Sequence, residues 1–309
     1  MKNISFLCML FVAFFAYGQK AWAQFSDGDG TPDNPYLISS ANDWDALSSA
    51  VSGGTTYSGG YFRLTDDISV TTMLGSSTSK FSGTFDGNGH TLTFNQEATE
   101  QYIAPFRYVS NATIENLRVA GTVTSSNKFA GGVVAHATGT NAITNCVNSI
   151  VINATISGNG SHGGILGQLG GENNSVAIAG CLSDGKMLGT DTDYWCGLIG
   201  YFGSNSVTIS NCFFSPQEIN VKPTNDNYTI CREGAALKNC FYNAEAAEMY
   251  SRQGSQAYSI APDRHVTMRL LGIDYPYYNV SGITIYEDFG HDTRIWNELF
   301  RRHRRHQLQ

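Results

Sequence analysis

The sequence predicts an all-β chain folded as a right-handed parallel β-helix, a solenoid of three-strand rungs of about 30 residues each, with one short helix covering its N-terminal end. The strongest observation is an internal repeat. A Gly- or Cys-led apolar clasp occurs at Gly131, Gly132, Val133, Val134, again at Gly163, Gly164, Ile165, Leu166, Gly167, and again at Cys196, Gly197, Leu198, Ile199, Gly200. The clasps start 32 and 33 residues apart, and each is followed 15 to 18 residues later by an Asn-Cys or Gly-Cys pair. Those trailing elements end in Asn145-Cys146, Gly180-Cys181 and Asn211-Cys212, with a further copy at Asn239-Cys240 and an earlier one at Asn116-Leu117. Self-similarity at this period signals units that complete their core only by stacking on neighbours. Composition agrees, because charged residues are 15% of the chain against about 25% in ordinary soluble domains, while 33 of 309 residues are Gly. Gly-Gly starts and β-branched pairs oppose a helical solenoid of similar period.

The remaining elements follow in chain order. Lys2, an apolar run over residues 6–15 and the small-residue exit Ala21, Trp22, Ala23 have the three parts of a secretory signal peptide over residues 1–23, so the mature chain is expected to begin near Gln24. The run is too short for a spanning helix, and no later stretch is apolar enough to cross a bilayer. Asp27, Asp29 and Asp33 alternate with glycines in an acidic turn. Their oxygen spacing is that of a partial calcium loop, although the twelfth position is Ile38 where a full loop carries a bidentate acid. Ser40 followed by Asp43 forms a capping box, and Trp44, Leu47 and Val51 share one helical face, which predicts a helix over residues 41–52. Tyr61, Phe62, Arg63, Leu64 read as a strand, and residues 81–94 as strand, turn, strand around Asp86, Gly87, Asn88, Gly89. In the unit at Gly163, three apolar runs at residues 163–169, 175–181 and around Met187 make one rung.

The expected organisation is a signal peptide at 1–23, an N-terminal cap and first rungs at 24–100, regular repeats at 101–243, a small β-rich segment at 244–293 and a basic tail at 294–309. That tail holds five arginines, Arg294, Arg301, Arg302, Arg304 and Arg305, and is expected to be a disordered terminus or the product of a truncated reading frame.

The clasps with their Asn-Cys followers resemble the GLUG repeat, and residues 81–92, FSGTFDGNGHTL, resemble the opening rung of GLUG-bearing secreted proteins of the Bacteroidetes. The similarity covers residues 29–243, with departures at Ala104-Pro105, at Ala135 and in the degenerate clasp Tyr228, Thr229, Ile230, Cys231. The resemblance implies a right-handed parallel β-helix on secreted or cell-surface proteins of adhesin-like character, and the repeat itself implies no reaction.

The net charge of −7 becomes −9 for the mature chain (17 Lys and Arg against 26 Asp and Glu), which disfavours nucleic acid as a partner, because phosphate binding rests on clustered Lys and Arg. Cys146, Cys181, Cys212 and Cys240 hold one place in successive repeats, so they should stack as a buried ladder of thiols with parallel Cβ vectors, poor geometry for disulfides. Cys196 and Cys231 are the better pair if any bridge forms, and no Cys-x-x-Cys spacing calls for zinc. Asn145, Asn211 and Asn239 fit stacked corners, because Asn tolerates bends and its amide can satisfy turn backbone.

Polysaccharide lyases and glycoside hydrolases also use parallel β-helices, and their chemistry needs paired carboxylates, or a base with calcium or arginine, in an outward column. Aligning the repeats shows no such column: no acid lies between Gly131 and Gly160, and the next unit has only Glu172 and Asp184. The best local site is Asp191 and Asp193 beside Tyr194 and Trp195, an acidic pair with aromatics that could stack on sugar. His90 and His162 lie beside glycines with no nucleophile in register. These observations favour a non-enzymatic secreted or outer-surface module that needs no cofactor and binds a glycan or a host or bacterial surface protein. A lyase or hydrolase on the same fold, and a fragment of a larger surface protein, are the alternatives.

Overall fold

The computed structural model describes residue 25 and residues 27–189, 191–220, 227–232, 234–243, 258–260 and 285–288. The expected signal peptide, the basic tail and most of the segment at 244–293 lie outside the described residues. The described chain is a parallel β-solenoid of about seven turns with one short helix near the N-terminus.

Three faces make each rung. The first is the four-stranded sheet of Phe106–Ser110, Val134–Thr138, Leu166–Leu169 and Ile199–Tyr201, all parallel. The second stacks Tyr36–Ile38, Tyr61–Leu64, Thr84–Asp86, Thr113–Glu115, Thr140–Thr144 and Ser175–Ala179, then the opening parts of Ser206–Phe214 and Ala236–Asn243. The third stacks Ile68–Val70, Thr91–Ala98, Arg118–Ser125 and Val147–Ala154, and continues through Leu182–Ser183 and Lys186–Leu188. Register holds from rung to rung, so each inward position becomes a column. On the second face Phe62, Phe85, Ile114, Ile143, Ile178 and Ile209 are successive partners, and all are buried. Each such side chain contributes about 1.5–3 kcal/mol relative to exposure.

The clasps work by close backbone approach. A Cβ on Gly164 would stand 2.2 Å from the Gly197 carbonyl oxygen of the next rung, and one on Gly132 would stand 2.1 Å from that of Gly164. The second clasp residue must therefore be glycine for consecutive rungs to hydrogen-bond. At the departure from the pattern, Ala104-Pro105, the rungs stay joined because the Leu74 N–H donates to the Pro105 carbonyl at 2.8 Å.

Between the second and third faces the chain turns through a residue in the left-handed region. The column is Asn88 (φ 52), Asn116 (52), Asn145 (52), Gly180 (63), Asn211 (54) and Asn239 (51). Asparagine and glycine are the residues that enter this region at least cost, and the amides also tie the rungs. Asn116 Nδ2 donates to Asp86 at 3.0 Å, and Asn239 Nδ2 donates to Asn211 Oδ1 at 3.0 Å. Immediately after this corner stand Cys146, Cys181, Cys212 and Cys240, all buried. Each donates its thiol back to second-face carbonyls, for example Cys146 to Thr144 at 3.3 Å and Cys212 to Ser210 at 3.2 Å. Burial drives the Cys146 and Cys212 thiols well above their ordinary range, so they stay protonated and act as small apolar residues. Cys196 faces Tyr228 and Cys231 faces Ile199, so the pair picked from sequence as the better disulfide lies out of register, and both are thiols.

The helix covers residues Ala41–Ser52, as its capping box requires: the Asp43 N–H donates to Ser40 Oγ at 3.3 Å, and the Ser39 N–H donates to the Asp43 carboxylate at 3.0 Å. Trp44, Leu47 and Val51 are buried. The Trp44 ring meets Phe85 and Phe106 edge-on at 5.8 and 5.3 Å, and its Nε1 donates to the Thr72 carbonyl, so the helix covers core that the first rungs would leave open. At the other end, Ile285–Asp288 pairs antiparallel with Ala236–Asn243 and with Tyr258–Ile260, which occupies backbone groups of the last parallel strand.

The left-handed corner gives a direct test. Asn145→Ala should lower stability by about 1 kcal/mol, since alanine lacks the local amide bonding that eases this conformation. Asn145→Gly should cost less than the alanine variant, losing the amide bond to Asn116 at 3.4 Å but keeping a backbone that enters this region freely, as Gly180 does. Urea midpoints of the two variants check the order, and equal losses would refute the conformational account.

Candidate functional site

The residues singled out from sequence as a sugar site do not share one surface. Asp191 is exposed, Asp193 is half-buried in the short strand Thr192–Asp193, and Tyr194 turns outward from a left-handed backbone at φ 64. Trp195, the next residue, points into the core with 0% exposure and packs on the His162 ring at 4.7 Å. It cannot stack on a ligand. The acidic turn closes on itself: Asp27 accepts from the Gly28 N–H at 2.7 Å, and one Asp29 oxygen accepts from both the N–H and the hydroxyl of Thr31 at 3.0 and 2.7 Å. Those bonds hold the Asp29 carboxyl below its ordinary range. Among the described residues, no group of three or more His, Cys, Asp or Glu, Asp33 included, is placed to hold a metal ion.

Tyr194 belongs to a larger arrangement. Two positions before each clasp the chain turns a second left-handed corner, at Tyr102 (φ 67), Phe129 (67), Ser161 (49) and Tyr194 (64). The residues that follow, Ile103, Ala130, His162 and Trp195, point inward and are buried. At two of these corners the inward residue's N–H is met by a side chain of the next rung. The Ala130 N–H donates to His162 Nδ1 at 2.9 Å, and the Trp195 N–H donates to Asn227 Oδ1 at 2.8 Å. His162 is therefore a structural acceptor with its proton on Nε2, and complete burial pushes its pKa down to about 3.

The corner side chains project beside the outward column of the first face, where Tyr108, His136, Gln168 and Tyr201 are register partners. Together they form an aromatic strip along the solenoid axis. Tyr102 stacks on Phe129 at 5.3 Å with a 10° interplanar angle, and meets Tyr108 at 5.3 Å and His136 at 4.8 Å. Phe129 reaches Tyr201 at 6.3 Å across the small Ser161 rung. Arg232 lays its guanidinium over Tyr194 at 4.4 Å and over Tyr201 at 5.1 Å, contacts favourable between a cation and an aromatic face. Arg107 lies over Tyr108 at 5.5 Å but is neutralised by Glu100 at 2.7 Å. Burial lowers the His136 pKa to about 4, with Lys80 adding to the effect, so this ring is neutral near pH 7. Tyr201 is 37% exposed, the large apolar residue that stands out most among the described ones. Aligning the clasps would have exposed both columns, since one lies two residues before each clasp and the other just after it.

A second grouping corrects the sequence analysis. Arg63, Asp86 and Glu115 are successive outward partners on the second face, in the early rungs that the comparison of units from Gly131 onward left out. Arg63 Nε donates to Asp86 at 3.1 Å, and the other Asp86 oxygen accepts from the Asn88 N–H at 2.8 Å and from Asn116 Nδ2 at 3.0 Å. Both Asp86 oxygens are thus engaged. Glu115 is pushed up by burial and by the neighbouring Asp86 charge, with Arg63 opposing.

No family model matches the chain. A candidate Gly-rich membrane protein of Evansella cellulosilytica is 30% identical over 133 residues, 38% of this chain and 15% of that protein. Halomucin of Haloquadratum walsbyi is 24% identical over 159 residues, 46% of this chain and 2% of halomucin. The chain thus spans a small part of the length of these relatives. Among solved structures, a candidate immunoglobulin A1 protease from Bacteroides ovatus aligns over 72% of this chain and 79% of its own at 19% identity and a TM-score of 0.43. Among the described residues no helix is long and apolar enough to cross a membrane.

The His162 geometry fixes a pH dependence. Its folded pKa of about 3 lies below the ordinary 6.5, so the folded state binds fewer protons, and the stability is complete above pH 6.5 and falls as pH drops toward 3. Between pH 6.5 and 4.5 the loss from this group should be roughly 2–3 kcal/mol. His162→Asn keeps an acceptor, as Asn227 does in the adjacent position of the next rungs, and should flatten that dependence. Urea unfolding at the two pH values checks it; an unchanged slope would disprove the assignment.

Proposed function

We propose that the chain is a GLUG-type repeat protein displayed outside the cell, whose β-solenoid binds a glycan chain along the aromatic strip without chemical turnover. The observation that carries this reading is a contrast between two corners of one molecule. Both need φ near +50° to +70°. One uses Asn and Gly throughout, the choice that stability favours, while the other uses Tyr102, Phe129, Ser161 and Tyr194. Bulky aromatics in this region are strained by about 1–3 kcal/mol each, and such strain accumulates where function requires it. The product is a row of half-exposed rings, interrupted at Ser161, on rungs about 4.8 Å apart, close to the repeat of a pyranose in an extended polysaccharide. Rings of this kind offer flat apolar faces to the axial C–H groups of sugars, and several weak contacts on one rigid scaffold add through effective concentration. The relative named as a membrane protein supports placement at the cell surface.

The Arg63–Asp86–Glu115 column favours a second reading, a polysaccharide lyase or hydrolase. There Glu115, with its raised pKa, would be the base and Arg63 would hold a uronate. Arg63 is already committed to Asp86, which places this reading second.

A glycan array on the purified chain, read alongside reducing-end and unsaturated-product assays, separates the two. Binding without product supports the first, and product formation abolished by Glu115→Gln establishes the second. In the first case Tyr194→Asn and Phe129→Asn should lower glycan affinity at least about fivefold, roughly one stacking contact, while thermal stability holds or rises. Loss of binding only in parallel with loss of fold would count against the strip.

A further inference from the structure

We infer that the strip reads a carboxylate-bearing sugar, a uronate-type residue, through Arg232, an inference that rests on the glycan reading above. Two guanidinium groups lie on this face, and they are not equivalent. Arg107 is paired with Glu100 at 2.7 Å, and its Nη2 donates to the Gln101 carbonyl at 3.1 Å. Among the described residues the ion pairs are Arg63–Asp86, His90–Asp67, Arg107–Glu100 and Lys186–Glu218, so Arg232 is a cation without an acid. Its position is nevertheless fixed. The guanidinium lies over the Tyr194 and Tyr201 rings at 4.4 and 5.1 Å, and Nη2 donates to Ser161 Oγ at 3.2 Å in the notch left by that small residue. The nearby Cys196 thiol does not supply the missing charge, because burial pushes it up to about 12 in spite of Arg232. In a chain of net charge −7, a half-buried cation clamped between tyrosines, with no acid partner among the described residues, is a preorganised anion subsite. Its planar donors match a carboxylate, and the Tyr194 and Tyr201 rings beneath the guanidinium hold it in place beside the rest of the strip.

The test uses a matched ligand pair, an oligogalacturonate and its methyl ester, which differ by the carboxylate charge and one methyl group per residue. Isothermal titration of the full chain should give about tenfold tighter binding of the acid than of the ester, the gain of one charge-assisted hydrogen bond. Arg232→Gln should erase that ratio while leaving the ester's affinity within about twofold, and Arg232→Lys should keep part of it. Thermal melts confirm that the variants fold. Equal binding of acid and ester by the native chain, or a ratio that survives Arg232→Gln, would overturn the inference and leave glycan binding standing. Failure of the native chain to bind acid, ester and every neutral oligosaccharide on the array would overturn both.

Discussion

Parallel stacking imposes a single demand on this chain: each rung must turn the same corners with the same backbone, or its strands miss the hydrogen-bonding positions of the next. The left-handed column from Asn88 to Asn239 answers that demand at one corner, and the glycine clasps answer it where backbones approach most closely. With the corners fixed, the period-two alternation of each strand sends the same sequence positions inward in every rung. The isoleucine column, the thiol column behind the asparagines and the buried tryptophan and histidine beside the second corner all inherit their places from it.

Burial of so many corners leaves backbone groups in need of partners, and the molecule meets the need with side chains of adjacent rungs. His162 and Asn227 accept at one corner. At the corner between the first and second faces, Asn141 accepts from the Ala112 N–H at 3.0 Å and Asn205 from the Asn174 N–H at 2.9 Å. An unmade bond at such a site would cost about 1–3 kcal/mol. Buried His162 and the Asn141, Asn205 and Asn227 group therefore belong to the scaffold, which is why a histidine deep in the stack signals no catalysis here.

Much of this was legible in the sequence. Clasp spacing, the Asn-Cys pairs and the capping box led to the solenoid, its strands and the helix Ala41–Ser52, because each is a local demand written in residue type. The aromatic strip was less legible for a physical reason. Adjacent residues at the second corner point opposite ways, so the neighbours Tyr194 and Trp195 read as one aromatic pair although one faces solvent and the other the core. The strip also joins residues about a rung apart, such as Phe129 with Tyr102 and Arg232 with Tyr201, whose proximity exists only once register is known. The Arg63–Asp86–Glu115 column was missed for the same reason, since the early rungs lack the Gly-Gly clasp that marks where to align them.

The two corners differ in how strictly they repeat. A solenoid optimised for stacking alone would repeat Asn or Gly at both, since every other left-handed residue adds strain. Strain at Tyr102, Phe129 and Tyr194 is tolerable because the residue after each is locked in the core, with backbone and side-chain bonds to the next rung over-determining the turn. The left-handed backbone there sends the aromatic side chain outward and the residue after it, such as Trp195, into the core. At Ser161 the pattern breaks, and the missing ring is the space that Arg232 enters. The irregular rung is therefore the one that gives the strip a charge and a polarity, while the regular rungs supply a platform stiff enough to hold it in place.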